Sequence, residues 1–170
     1  MSVLIVVESE FGNTRSVAQA IADGVAAQRG ADSVHLLSAG EAPLRIPAEV
    51  SLVVAGAPTH NLGLPTQASR AKAAAAGATG GDSTGLAEWI AGFAGHPGLT
   101  VTTFDTRVAS GFAGSAAKAA YRALRRRIGQ AAERGPSFIV KGTEGPLADG
   151  ELEHAAAWGA ELARRLPPAA

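Results

Sequence analysis

The chain has 170 residues, of which 46% are hydrophobic and 18% charged, and its 15 basic and 15 acidic side chains cancel to a formal net charge of zero. That length supports a buried core in one domain spanning residues 1–170, and the lack of any charge excess argues against a nucleic-acid or membrane-surface role. There are no cysteines, which excludes disulfides, thiol catalysis and cysteine-ligated metal or iron–sulfur centres.

Residues 3–7, VLIVV, form a β-branched run with no polar face and predict a first strand rather than a signal peptide, since no basic segment precedes it. No apolar run is long enough to span a bilayer, so the cytoplasm is the expected location. Residues 13–29 predict a helix, with Val17, Ala20, Ile21, Gly24 and Val25 on one stripe and Gly30 as its stop. Strands follow at 33–37, 52–55, 99–104 and 137–141. Helices are expected at 67–76, 86–93, 115–131 and 149–165, the last capped by Asp149. Glycine-rich residues 77–85 read as a flexible loop. Short apolar strands alternating with helices imply an α/β fold: a doubly wound, five-stranded parallel sheet with helices on both faces. Ligands of such sheets sit beyond the carboxyl ends of the strands, where the strand order reverses. The loops at 56–65 and 105–114 and the turn after strand one all lie at that edge.

Ser9, Glu10, Phe11, Gly12, Asn13 and Thr14 make the first of these turns. A strand, a tight turn and a helix N-terminus present unpaired N–H groups and a favourable dipole to an anion. Gly12 permits close approach, and Ser9, Asn13 and Thr14 offer side-chain donors. After strand three comes Gly56-Ala57-Pro58-Thr59-His60-Asn61-Leu62-Gly63, in which Pro58 fixes φ and Asn61 tolerates left-handed backbone. After strand four come Asp105, Thr106 and Arg107, then Gly111 and Phe112. His35, His96 and His154 show no metal-ligand spacing. Arg122, Arg125, Arg126 and Arg127 cluster on one helix. They read as a solvated face, with a docking patch for an acidic partner as the alternative.

These motifs resemble those of the flavodoxin family. That family carries T/S-x-T/S/Y-G-N-T after its first strand, matched here by Ser9 to Thr14, and G-x-P-T before an aromatic residue, matched by Gly56 to Thr59. The resemblance spans nearly the whole chain. It implies FMN, with its phosphate held by Ser9, Gly12, Asn13, Thr14 and the backbone of Glu10 and Phe11. One wall against the flavin ring would be Pro58, Thr59, His60, Asn61 and Leu62, and the other Asp105, Thr106, Arg107, Gly111 and Phe112. By the same resemblance the Asn61-Leu62 peptide turns its carbonyl toward the ring on reduction. The chain also departs from the family pattern. Phe11 stands where threonine or serine is commonest, His60 where tryptophan is frequent, and no tyrosine follows strand four. The neutral charge contrasts with the usual acidity. A receiver domain shares this strand order but needs an aspartate where Gly56-Ala57-Pro58 stand.

The expected function is an FMN-dependent electron carrier working with a reductase and an acceptor protein, as a monomer or weak oligomer, without a substrate of its own. The alternatives are an NAD(P)H-dependent quinone reductase of the same fold and an interaction module with weak or no FMN binding.

Overall fold

A computed structural model describes residues 1–80, 84–110 and 114–167. Five strands, β1 (Ser2–Val7), β2 (Val34–Ser38), β3 (Val50–Pro58), β4 (Thr100–Val108) and β5 (Ala132–Val140), pair in parallel in the order β2-β1-β3-β4-β5. The helices are α1 (Asn13–Arg29), α2 (Gln67–Ala75), α3 (Leu86–Gly92), α4 (Ala116–Ile128) and α5 (Glu151–Arg165). No helix among the described residues is long and apolar enough to cross a membrane.

β1 is buried along its whole length because helices cover both faces of the sheet. Its odd residues Val3 and Ile5 join Val17, Ile21, Leu52, Val54, Phe104, Phe138 and Leu162 beneath α1 and α5. Its even residues Leu4 and Val6 join Val53, Val101, Trp89, Phe93 and Leu124 beneath α3 and α4. Strand order reverses between β1 and β3, so their carboxyl ends diverge and open a crevice.

Three strands outrun their apolar cores. β3 continues to Pro58, β4 to Val108, and β5 begins at Ala132 rather than at 137. The polar residues added this way are held in ladder register, with Ala57 opposite Asp105 and Pro58 opposite Thr106. The loop expected from Asp105 is therefore strand as far as Val108. Asp149 does not cap α5: the N-cap is Gly150, at φ 82°, and Asp149 pairs instead with Lys141 Nζ at 2.8 Å. The expected helix at 115–131 ends at Ile128 and tightens into a 3₁₀ turn over Gly129–Ala131.

α1 and α5 cross at two glycines. A Cβ on Gly24 would lie 2.0 Å from the Ala156 carbonyl oxygen, and one on Gly159 would lie 2.2 Å from that of Ile21. The obstacle is backbone in both cases, so neither helix could yield locally. Helix propensity alone favours alanine over glycine by about 1 kcal/mol. Overpacking should override it, and Gly159→Ala is expected to destabilise the fold by about 2 kcal/mol. Urea denaturation measures this; a variant as stable as the parent would mean that the helix contact is looser than its geometry.

Candidate functional site

A cleft of about 250 Å³ opens at the carboxyl edge, lined by the turn after β1, the turn after β3, the end of β4 and the loop after β5. The first turn supplies Glu10, Phe11, Asn13 and Thr14. Gly12 is the N-cap of α1 at φ 86°, in the left-handed region, and no side chain caps the helix in the usual way. Arg15 N donates to Ser9 Oγ at 3.2 Å and Ser16 N to the Gly12 carbonyl at 2.9 Å. Among the described residues, the N–H groups of Gly12, Asn13 and Thr14 have no acceptor. Those amides, with the dipole of a 17-residue helix behind them, define an anion position.

Of the three side chains expected as donors here, Asn13 and Thr14 are engaged with neighbouring elements, and Ser9 lies outside the lining of this cleft. Ser9 takes the Arg15 amide and lines a separate polar cleft with Glu8, Arg15 and Glu41. Asn13 Nδ2 donates to the Glu144 carbonyl at 2.9 Å, across the turn that brings Gly145 against it. Thr14 Oγ1 meets Thr106 Oγ1 at 2.7 Å in the interior. These side chains tie the turn to its neighbours and leave the anion to backbone amides. Within residues 77–85, expected as a flexible loop, Gly80 packs against the same turn. Gly80 N donates to the Glu10 carbonyl at 3.1 Å, and a Cβ on Gly80 would sit 1.8 Å from Ser9 O. Gly81, Asp82 and Ser83 lie outside the described residues.

Pro58, Thr59, His60, Asn61 and Leu62 all line the cleft. Thr59 N donates to the Thr106 carbonyl at 2.8 Å, extending the β3–β4 ladder by one residue. His60 and Gly63 then exchange both backbone hydrogen bonds, at 3.0 and 2.9 Å, around Asn61 at φ 45° and Leu62 at φ 72°. Two successive left-handed residues are the signature of a type I′ turn. Asparagine accepts this conformation readily, whereas for leucine it costs roughly 1–2 kcal/mol. Leu62 is nonetheless 66% exposed, so little burial offsets that cost. The turn is held from behind by Gly114 at φ 68°, where a Cβ would lie 2.3 Å from Leu62 Cα, and by Ser115 N, which donates to the Leu62 carbonyl at 3.3 Å.

His60 Nδ1 lies 3.2 Å from Ser69 Oγ. Burial, and then the positive charge of Arg70, hold the imidazole below its ordinary pKa of 6.5, so it is neutral at pH 7. The ring also walls an adjoining cleft of about 300 Å³, shared with Phe11, Asn61, Lys72 and Ala76.

The fourth-strand residues divide. Thr106 and Arg107 line the cleft, as does Val108. Asp105 does not: it is wholly buried on the other side of β4. Its Oδ2 accepts from Thr59 Oγ1 at 3.1 Å, Ser115 Oγ at 2.6 Å and Ala117 N at 2.9 Å, so it serves the N-terminus of α4 and the turn after β3. Arg107 Nη1 donates to the Gly114 carbonyl at 2.9 Å, while its buried Nε has no partner among the described residues. Gly111 and Phe112 lie outside the described residues. Sequence reasoning missed Val140 and Thr143, which complete the lining from the end of β5. The rule that found the other loops, that strand carboxyl ends share an edge, would also have found these.

A buried ion network backs the first turn. Glu8 Oε2 accepts from Leu86 N at 2.7 Å, its Oε1 lies 3.3 Å from Arg70 Nη1, and Arg70 Nη2 reaches Glu88 at 2.8 Å. Burial outweighs the pull of the Leu86 amide and of Arg70 and raises the Glu8 pKa from an ordinary 4.5 to about 7. The folded state thus keeps a proton that the unfolded chain loses. The stability Glu8 contributes is fully present below pH 4.5 and is lost as pH rises through about 7. Glutamine has no such titration, so Glu8→Gln is expected to gain melting temperature relative to wild type as pH rises across that window. A difference between the two proteins that does not vary with pH would show that Glu8 is ionised throughout.

No family model and no curated protein matches the sequence. Solved structures do match it along nearly their whole length. An archaeal flavodoxin superposes with a TM-score of 0.64 at 18% identity, covering 97% of this chain and 98% of the other. Oxidised flavodoxin 1 from Bacillus cereus gives 0.64 at 14%, covering 98% and 100%. Two-electron reduced flavodoxin from Megasphaera elsdenii gives 0.57 at 21%, covering 94% and 98%.

Proposed function

We propose, from the flavodoxin-like fold that this chain adopts, that it is a cytoplasmic electron carrier that binds FMN and passes electrons between redox proteins. The observation that carries the proposal is the position of the Gly12, Asn13 and Thr14 amides, which have no acceptor among the described residues, at the head of α1 beside the cleft whose walls are Pro58 to Leu62 and Thr106 to Val108. That donor set fits a phosphate monoester held by neutral dipoles, and the walls fit a planar ring. FMN supplies one- and two-electron redox chemistry when bound. The chain binds the phosphate through its amides, orients the ring between two backbone segments, and excludes water with Leu62, Val108 and Val140. Tyr121, the only tyrosine, is bonded to Arg125 on α4 and takes no part in the lining. Among the described residues, the aromatic groups lining the cleft are Phe11 and His60.

A second reading, an NAD(P)H-dependent quinone reductase, is favoured by the adjoining cleft of about 300 Å³ that shares Phe11, Thr59, His60 and Asn61 with the first. Steady-state quinone reduction with NAD(P)H separates the two readings.

The visible spectrum of the purified protein, followed by titration of the apoprotein with FMN and with riboflavin, tests the carrier proposal. Riboflavin lacks the phosphate, and charge-assisted hydrogen bonds are worth about 1.5–3 kcal/mol each, so it should bind at least about tenfold more weakly than FMN. Equal affinities would remove the anion site, and no binding of either would leave the interaction-module reading. Arg107 brings a fixed positive charge to the same cleft. In Arg107→Ala the flavin should become harder to reduce fully, because the added negative charge loses a stabilising partner. An unchanged midpoint potential for the second electron would place that charge in solvent.

A further inference from the structure

The zero net charge conceals a strongly uneven distribution. Between Asp105 and Glu133 the chain has six cationic side chains and no carboxylate. α4 carries five of them, Lys118, Arg122, Arg125, Arg126 and Arg127, and folding gives them separate tasks. Arg127 turns toward α3 and donates through Nε and Nη2 to the Phe93 carbonyl, at 3.3 and 3.0 Å. Arg125 packs over Tyr121 and bonds its hydroxyl. Lys118 and Arg122 stand one turn apart and line an open groove of about 340 Å³ with Arg107 and Arg134. Among the described residues none of these four is in an ion pair, and no carboxylate lines the groove.

Leu62 and Arg107 belong both to this groove and to the cleft. Leu62 and Val108 are exposed hydrophobic residues at the cleft mouth. An apolar patch at the mouth thus continues directly into a cationic flank. Lys118, Arg122 and Arg126 share one helix face over ~12 Å, at 1.5 Å rise per residue. That row is longer than a single phosphate group can bridge, and it matches the spacing of carboxylates along a protein surface.

We propose that this face is a docking surface for an acidic protein, which would seat its own apolar centre on Leu62 and Val108 and its carboxylates along Lys118, Arg122, Arg134 and Arg107. The proposal rests on the electron-carrier reading for the nature of the partner, but the surface itself is independent of flavin. Charge complementarity of this kind acts chiefly on encounter rate and orientation. It holds even at zero net charge, because the local field, not the total, meets a partner within a Debye length.

The test uses a fluorescent oligo-glutamate peptide as the acidic probe, titrated with the protein as purified, by anisotropy at low salt. Combining Lys118→Glu with Arg122→Glu should weaken binding at least about tenfold. Combining Arg164→Glu with Arg165→Glu, at the far end of α5, should leave it unchanged, and circular dichroism checks that both variants fold. Equal loss in the two variants, or no loss in either, would overturn the proposal. So would tighter capture of duplex DNA, or of phosphatidylserine vesicles, than of the peptide at the same salt. The visible spectrum of the same samples reports flavin separately, so a failed groove and a failed carrier reading are told apart.

Discussion

A buried carboxylate on β4 organises the edge where the cleft forms. Asp105 is wholly buried, and three donors converge on its Oδ2, while its Oδ1 has no partner among the described residues. Those donors come from three places: the hydroxyl of Thr59, the hydroxyl of Ser115 and the amide of Ala117. Thr59 Oγ1 also accepts the Ala116 amide at 2.9 Å, and Ser115 Oγ that of Lys118 at 3.0 Å. The first turn of α4 and the turn after β3 are thereby fixed to one another through a single side chain. The left-handed pair Asn61 and Leu62 leans on the same arrangement, because Gly114 and Ser115 support its far side. A strained turn persists only where its surroundings leave no alternative. Asp105 and the amides around it supply that constraint.

On the other side of the cleft, the turn after β1 is restrained in a different currency. Its side chains reach outward, Asn13 to the loop after β5 and Thr14 to β4, while Gly80 packs onto its outer surface. Glu8 and Arg70 lie beneath, joined to α3 through the Leu86 amide and Glu88. An anion held by backbone amides gains most when those amides are already aimed, since no ordering remains to be done on binding. The side chains that tie the turn down keep those amides aimed in this way.

The fold was legible in the sequence to the extent that periodicity and punctuation coincided. α1 runs from Asn13 to Arg29 as expected because Gly12 and Gly30 bracket an uninterrupted apolar stripe. Strand ends were harder to place, since an apolar run stops at the first polar residue whereas a parallel ladder continues wherever that residue is satisfied. Asp105 and Thr106, beyond the expected end of β4, are both buried for this reason. The same limit explains the divided site. His60, Asn61 and Leu62 were readable because a glycine-and-proline-rich turn at a strand end has few alternative uses. Asp105 was not, because spacing alone does not reveal which face of a strand a carboxylate takes when its end is misplaced. The Glu8–Arg70–Glu88 network joins residues far apart in sequence and carries no local signal.

The close approach of α1 and α5 at Gly24 and Gly159 bears on how the protein is made. α1 presents the amides of the proposed anion site at its N-terminus, yet its position over the sheet is set partly by α5, which packs backbone to backbone against it. One is the first helix of the chain and the other the last. During synthesis β1 and α1 leave the ribosome early and must wait, with one face of the sheet uncovered, until α5 emerges. The part of the sheet that α5 covers therefore stays open until residues 151–165 are made, a window in which a chaperone has more reason to engage the chain than after α5 docks.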